Sequence, residues 1–599
     1  MYNKLIDHGT PVVAEEERTA AICTKEQASK LVIAAKGFVL IIDLEKGTSK
    51  QVFFPLENKE YPFASFSSGG LFYTGAGKML LVLDPFKECF VDYQVIENGE
   101  EIVGFSFAED SEGMIYFTTY PHCHLLSYDS KSQHVVDYGS MHAEEKYPGT
   151  VALDTHGWAY MGIGTEKRDI IAYHLITGQK KSLLSSHQRQ KGAGYVYLGN
   201  DGTVYGHIEA SDLKNVLTAS QWLKFSQGEC NPAADVAPSS FVGTGFQKVH
   251  IPDESNYQIE HYSLSEGLVQ ISHKDSGIQK TIHLIYHSEG AELSSLFLAP
   301  DGFIYGTSMH PLQFFRYDPT KNSLQNFGAL EKGGGGNICA YASHENLLVG
   351  VAYAGGKLYV HDLDQQSSIP RLVLEEDQIH RPRCALALSG TKEVIWGGFP
   401  GYGLVGGALA IYNMDTEKQV VIRNEDILPF HSTICLSELS KGDIIGGTSV
   451  EAPGGAVSKE QDARLYMLDR TTMQLKCSFV PFKGTREIIA IYTDMYNRVH
   501  GVTGLGMYFI WDTEMNSILS GKDLSSYGEP IRSGFVYDEP NHTLYCLMSD
   551  ALIAIDVKQP CPEPILKKGL EAKASSGTVL FNGRVYYGSG SHLYSVSIE

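Results

Sequence analysis

Short apolar runs, many with period-two alternation and each closed by Gly, Asp or Asn, follow one another along almost the whole 599-residue chain. That period belongs to strands, not to the 3.6-residue turn of a helix. One unit recurs: a strand, a loop of small residues, a second strand ending in Tyr-Asp or Ile-Asp, then a polar turn. Clear copies are IYFTTYPHCHLLSYD, ending at Asp129, and IYGTSMHPLQFFRYD, ending at Asp318. Others end at Asp84, Asp512 and Asp556, longer-looped copies end at Asn413 and Asp469, and weaker ones end near Asp43, Tyr173, Phe225, Asp362 and Ser597. The closing Asp suits its place, because its carboxylate can accept backbone N–H groups from the turn that follows. Ahead of many units lies another strand pair joined by a -DG- or -HG- turn, as in LSSLFLAPDGFIYG and GTVALDTHGWAYMG. Each unit therefore reads as a four-stranded antiparallel sheet.

Successive copies lie roughly 41 to 55 residues apart, close to the spacing of propeller repeats. About a dozen units exceeds the usual four to eight blades of one ring. The fold class expected is all-β: a β-propeller of about twelve to fourteen four-stranded blades in two tandem rings. The boundaries expected are 15–290 for the N-terminal ring and 291–599 for the C-terminal one. The last unit, GTVLFNGRVYYGSGSHLYSVSIE, stops after three strands, while KLIDHGTPV near the N-terminus resembles the fourth strands HVVDYGSMH and SLQNFGALE. Residues 1–14 are thus expected to close the last blade and remove two exposed edges. Residues 226–290 break the pattern, and 210–226 could be a helix or a strand pair.

Composition narrows the partners. Asp+Glu number 70 against Lys+Arg 48, a net charge of -22, with no long basic cluster, so nucleic acid is not expected. No apolar run approaches the ~20 residues that span a bilayer, and Met1–His8 lacks the basic and apolar regions of an export signal, so a cytoplasmic location and no membrane association are expected. The ten cysteines are scattered without a C-x-x-C, as buried thiols would be in a reducing compartment; no metal site and no cofactor is expected.

In a propeller the variable loops between second and third strands, and between successive sheets, open on one face. In the first half these loops carry Tyr120, His122, His124, Tyr147 and Lys167. In the second half they carry His310, Tyr353, His380, Arg381, Arg383 and Phe399, then Tyr402, His431, Glu451 and Arg486. Gathering His, Arg and Tyr on one face of an acidic protein invites an anionic ligand. His122 and His124 have the spacing of two metal ligands but no third partner; Glu451, Glu460 and Asp462 could act as a glycosidase acid–base set or lie in a solvated loop. GGGGN at 333–337 lacks the Lys-Ser/Thr of a phosphate loop and reads as a connection between sheets.

The repeat with its YDPTKN-like turns resembles the bacterial propeller superfamily that includes WD40-like, YVTN-type and quinoprotein-like proteins, although Trp511-Asp512 alone echoes the Trp-Asp signature. Propeller-fold polysaccharide lyases are similar in placing His, Tyr and Arg at a channel mouth. The resemblance implies a carbohydrate-active protein, a lyase or glycosidase. In the lyase form it would perform β-elimination on uronate-containing oligosaccharides. Arg381 or Arg383 would neutralise the carboxylate, His310 or His431 would take the α-proton, and Tyr402 would protonate the leaving oxygen. His380, Tyr353, Phe399, Glu451 and Arg486 would hold the substrate. The alternative is a non-catalytic scaffold that docks partner proteins on its faces.

Overall fold

The computed structural model describes residues 5–97, 99–208, 222–245, 247–365 and 368–598. Packing divides the chain into two compact units, Met1–Ala14 with Glu289–Glu599 (the C-terminal unit) and Glu15–Ser288 (the N-terminal unit). The described residues form thirteen sheets, eleven of four strands, one of six and one of three. Helix is limited to short 3-10 turns such as Pro55–Glu57 and Asp377–Ile379, and none among the described residues is long and apolar enough to cross a membrane.

The turn chemistry follows from the closing Asp. The Asp318 carboxylate accepts the N–H groups of Thr320 and Lys321 at 2.9 and 3.1 Å, and Asp84 does the same for Phe86 and Lys87, both at 3.0 Å. At Asn413 a side-chain amide oxygen takes the role, accepting from Asp415 and Thr416. A second Asp device sits at the inner hairpin turns. Asp154 accepts the N–H of Trp158 at 3.0 Å and the hydroxyl of Tyr160 at 2.8 Å, and Asp301 likewise takes the Tyr305 hydroxyl at 2.8 Å.

The C-terminal unit holds seven four-stranded antiparallel sheets. Their first strands are Glu292–Leu298, Asn337–His344, Arg381–Ala387, Ser432–Glu438, Ile488–Thr493, Pro530–Asp538 and Ser576–Phe581. Each lies beside the next, and the seventh lies beside the first. Only three strands of the last sheet come from the C-terminus. The fourth is Ile6–Asp7, antiparallel to His592–Ser597 with Ile6 opposite Ser595 and Asp7 opposite Tyr594. His8 then fastens this strand, placing Nε2 2.8 Å from Ser595 Oγ and Nδ1 2.7 Å from the Tyr317 hydroxyl.

In the N-terminal unit five regular sheets begin at Thr19, Pro62, Ile102, Thr150 and Tyr195. Beyond them the repeat loosens, as its text does. Trp222–Ser226 is a strand paired with Val204–His207; the remainder of the helix-or-strand segment, 210–221, lies outside the described residues. The hairpin Phe241–Thr244 and Gln247–His250 adds to the first sheet, with Ala20 parallel to Val249, and a three-stranded sheet spans Tyr257–Ser263 to Gln279–His283. His250 anchors that hairpin. Its Nδ1 accepts the Ser67 N–H at 3.1 Å and lies 2.9 Å from Ser67 Oγ, and its ring stacks on Phe66 at 4.2 Å.

Burial pushes the His250 imidazole down to about 3, so it stays neutral in the fold. Its unfolded form takes a proton near 6.5, so the unfolded state binds more protons between those values, and stability falls as pH drops through that window. Several kcal/mol are at stake over such a shift. Thermal melts of the wild type should lose stability steadily from pH 7 to pH 4, and His250→Gln, which keeps a polar side chain but cannot titrate, should flatten that fall. Equal slopes for the two proteins would contradict this role for His250.

Candidate functional site

All seven inner strands of the C-terminal unit break register near their N-terminal ends. In Arg381–Ala387, Pro382 pairs with Gly398 and Cys384 with Gly397, leaving Arg383 as an extra residue. Corresponding breaks lie between Leu293/Ser295, Ile338/Ala340, Thr433/Cys435, Ile488/Ala490, Pro530/Phe535 and Ser576/Val579. A bulge takes its extra residue out of the period-two alternation and re-aims the side chain. Bulge residues Ser294, Cys339, Ile489, Arg532 and Thr578, with Glu487, line a cavity of about 1070 Å³.

Arg532 lines this cavity as an exposed residue, and Arg383, which touches the lining Cys339, lies close enough to repel it. Arg532 has no hydrogen-bond or ion-pair partner among the described residues. Desolvation, then the charge of Arg383, hold its guanidinium down at about 10, still charged at neutral pH. Arg383 donates Nη1 to the Pro382 carbonyl at 2.8 Å, touches Cys339 Sγ at 3.7 Å and lies over the Phe399 ring at 5.3 Å; its buried Nε has no partner. Glu487, the acid nearest Arg532, is turned to Ser449, whose hydroxyl donates to it at 2.9 Å. Two guanidiniums this close repel each other, and a bound anion would relieve that repulsion.

Next to this pair, two residues earlier on the same strand, Arg381 sits in an aromatic clamp. Its guanidinium lies 4.3 Å from the Tyr402 ring and 5.6 Å from the Tyr353 ring, and Nη1 donates to the Pro400 carbonyl. His380 meets both rings edge-on, at 5.6 Å for Tyr402 and 6.0 Å for Tyr353. The Tyr353 loop can fold back this far because Gly355 and Gly356 donate to the His380 carbonyl, and a Cβ on Gly356 would lie 2.1 Å from the Glu376 carbonyl oxygen. Burial, then the neighbouring Tyr353, push the Tyr402 phenol up to about 12; burial, then the Arg381 charge, push His380 down to about 4. At neutral pH the phenol therefore keeps its proton and the imidazole is uncharged, with one ring nitrogen free of hydrogen.

The other residues singled out from sequence lie elsewhere. His431 is buried, with Nδ1 and Nε2 at 2.9 and 3.2 Å from the carbonyl oxygens of Pro429 and Asp462, a structural placement that leaves no ring nitrogen for a substrate. Phe399 is buried beneath Arg383 and cannot stack on a sugar. Glu451 and Arg486 form an ion pair with each other. His310 follows Ile304–Met309 in left-handed backbone (φ 53°), in the sheet that begins at Glu292, two before the one carrying Arg381. In the other unit His122 pairs with Glu101 and His124 with Asp137, and the described residues hold no group of three metal-binding side chains. Arg532 and Cys339 had not been singled out. Their one signal is the break of alternation in PIRSGFVYD and NICAYASH, a bulge mark once the strand is known.

No protein-family model matches the chain, and no curated protein matches it. Among solved structures, the extracellular domain of BT4673 from B. thetaiotaomicron is similar over 100% of this chain and 83% of that one, at 10% identity and a TM-score of 0.38. The site is accordingly read from its own geometry.

An arginine kept for a ligand and one kept for the fold should respond differently to removal. Arg532→Met deletes an exposed charge without a partner, so stability to urea should stay within about 0.5 kcal/mol of the wild type. Arg498 pairs with Asp494 and donates to the Val557, Gln559 and Pro560 carbonyls. Arg498→Met should therefore cost about 3 kcal/mol or more. A loss of that size at Arg532 would show that it is structural.

Proposed function

We propose that the C-terminal unit is a seven-bladed propeller ring and the N-terminal unit a second ring, and that the first binds uronate-containing oligosaccharides and cleaves them by β-elimination. The observation that carries this reading is Arg532, without a hydrogen-bond or ion-pair partner at a cavity large enough for sugar residues, with the like charge of Arg383 beside it. The cycle of adjacent inner strands and the strand lent by the N-terminus support the ring.

The chemistry follows from the groups present. Arg383 and Arg532 take the uronate carboxylate and stabilise the charge that builds on it as the α-carbon loses its proton. His380, neutral at working pH and clamped beside Arg381, takes that proton in place of His431. Tyr402, still protonated, gives its proton to the glycosidic oxygen as the C–O bond breaks, and the carbon–carbon double bond forms between the α and β carbons. The proton count balances: one passes to His380, one leaves Tyr402, and water restores both.

Incubation with uronate polymers should produce the ultraviolet absorbance of an unsaturated uronate. His380→Ala and Tyr402→Phe should each lower kcat about 100-fold or more, whereas Arg383→Met and Arg532→Met should both raise KM and lower kcat. The rate should fall only as pH drops toward about 4, where His380 becomes protonated, with no basic limb below about 12, where Tyr402 loses its proton. Full activity in His380→Ala would refute the mechanism. Absence of both binding and product across a broad uronate panel would favour the non-catalytic scaffold.

A further inference from the structure

The N-terminal unit has a cavity of its own, of about 600 Å³, within the range of small-molecule sites. Its wall differs in kind from the arginine-lined one. Phe63 and Phe105 both lie where inner strands break register, Pro62/Ser65 and Val103/Phe107, and their rings stack 4.3 Å apart at an interplanar angle of 14°. Phe105 continues onto Tyr120 at 5.5 Å, and Tyr120 onto Tyr147 at 4.8 Å. Three of these rings, Phe63, Phe105 and Tyr147, face the cavity, and Tyr120 backs them.

Two polar groups in the same cavity lack partners. The Lys248 ammonium lies 5.7 Å from the centre of the Tyr195 ring, and neither it nor the Tyr195 hydroxyl has a hydrogen-bond or ion-pair partner among the described residues. Desolvation lowers the lysine and raises the phenol, so both are short of polar company. Several other hydroxyls of the wall already hold a partner within the fold. Ser106 Oγ accepts the Val151 N–H at 3.0 Å and Thr150 Oγ1 the Val196 N–H at 2.8 Å. Thr19 donates to the Lys248 carbonyl at 3.0 Å, and Ser67 Oγ lies 2.9 Å from His250. A flat apolar ring with one anionic group would meet both the aromatic strip and the unpartnered Lys248. Glu109, Asp110, Asp154, Asp253 and Glu254 line the same cavity, so Lys248 is the lining group that would draw an anion.

We infer that the N-terminal unit binds a small aromatic carboxylic acid, its ring on the Phe63–Phe105–Tyr147 strip and its carboxylate on Lys248 and Tyr195. This inference is independent of the uronate reading, since it rests on a different cavity and different residues.

Calorimetric titration of the full chain with cinnamate, cinnamyl alcohol and galacturonate tests it. Cinnamate should bind one per chain, and the alcohol, with the same ring but no charge, about tenfold or more weakly. Lys248→Met should erase that difference, Phe105→Ala should weaken both ligands, and Arg383→Met/Arg532→Met should leave cinnamate binding intact. Galacturonate should not compete with cinnamate. No cinnamate binding at millimolar concentration, equal affinity for acid and alcohol in the wild type, retention of the acid preference in Lys248→Met, or displacement by galacturonate would each overturn the assignment. The wild-type acid–alcohol comparison needs no variant, so a folding defect in any substitution leaves the test decisive.

Discussion

The seven sheets of the C-terminal unit are apolar on both faces, and such a sheet is best sheltered between two others. The buried clusters of the C-terminal unit obey that constraint. One joins Val349 and Leu358 to Trp396 and Tyr412 on the following sheet; another joins Trp511 and Phe509 to Leu465 and Ile445 on the preceding one. A row of such sheets would end in two unprotected faces. Here the cluster of Leu293, Phe315, Val579 and Leu593 brings the first and last sheets together, so neither face is left bare. The strand Ile6–Asp7 completes the last sheet at its outer edge. Close packing of this kind also dictates residue type: a Cβ on Gly446 would lie 2.1 Å from the Tyr466 ring, and one on Gly501 2.1 Å from the Phe509 ring.

The same convergence creates the candidate site. Inner strands crowd where they meet, and each breaks register there, so that side chains which alternation would bury between sheets are aimed inward instead. A protein of net charge -22 uses two of these positions for Arg383 and Arg532 and gives neither a salt-bridge partner among the described residues. The N-terminal unit uses the equivalent device for Phe63 and Phe105. One structural irregularity thus yields a cationic cavity in one unit and an aromatic cavity in the other.

Burial rather than specific hydrogen bonding sets the protonation states in the Tyr353–His380–Arg381–Tyr402 group. Desolvation alone disfavours both a charged phenolate and a charged imidazolium, and the adjacent Arg381 charge pushes the imidazole further the same way. The result is a proton donor and a proton acceptor side by side at neutral pH. This separation of roles between two groups in one environment is what acid–base chemistry requires.

The architecture was legible in the sequence because its signals are local. Period-two alternation, the closing Asp of each unit and the -DG- turns act over a few residues, and a text such as SLQNFGALE announces a fourth strand wherever it stands. The match of KLIDHGTPV to that text marks the lent strand Ile6–Asp7 from local sequence alone. Of the site, Tyr353, His380, Arg381, Tyr402 and Arg383 were legible as loop-proximal chemistry. His431 and Phe399 looked equivalent to them and are buried in the structure. Arg532 and Cys339 passed as ordinary strand residues. The difference lies in range: a bulge shifts a strand by one residue and reverses which face a side chain takes, and an uncompensated charge is defined by neighbours from other sheets. Alternation along the chain determines that strands form and how they turn. Which side chains share a cavity is decided only when sheets distant in sequence pack against one another, since desolvation and charge depend on that packing and not on the chain's local order.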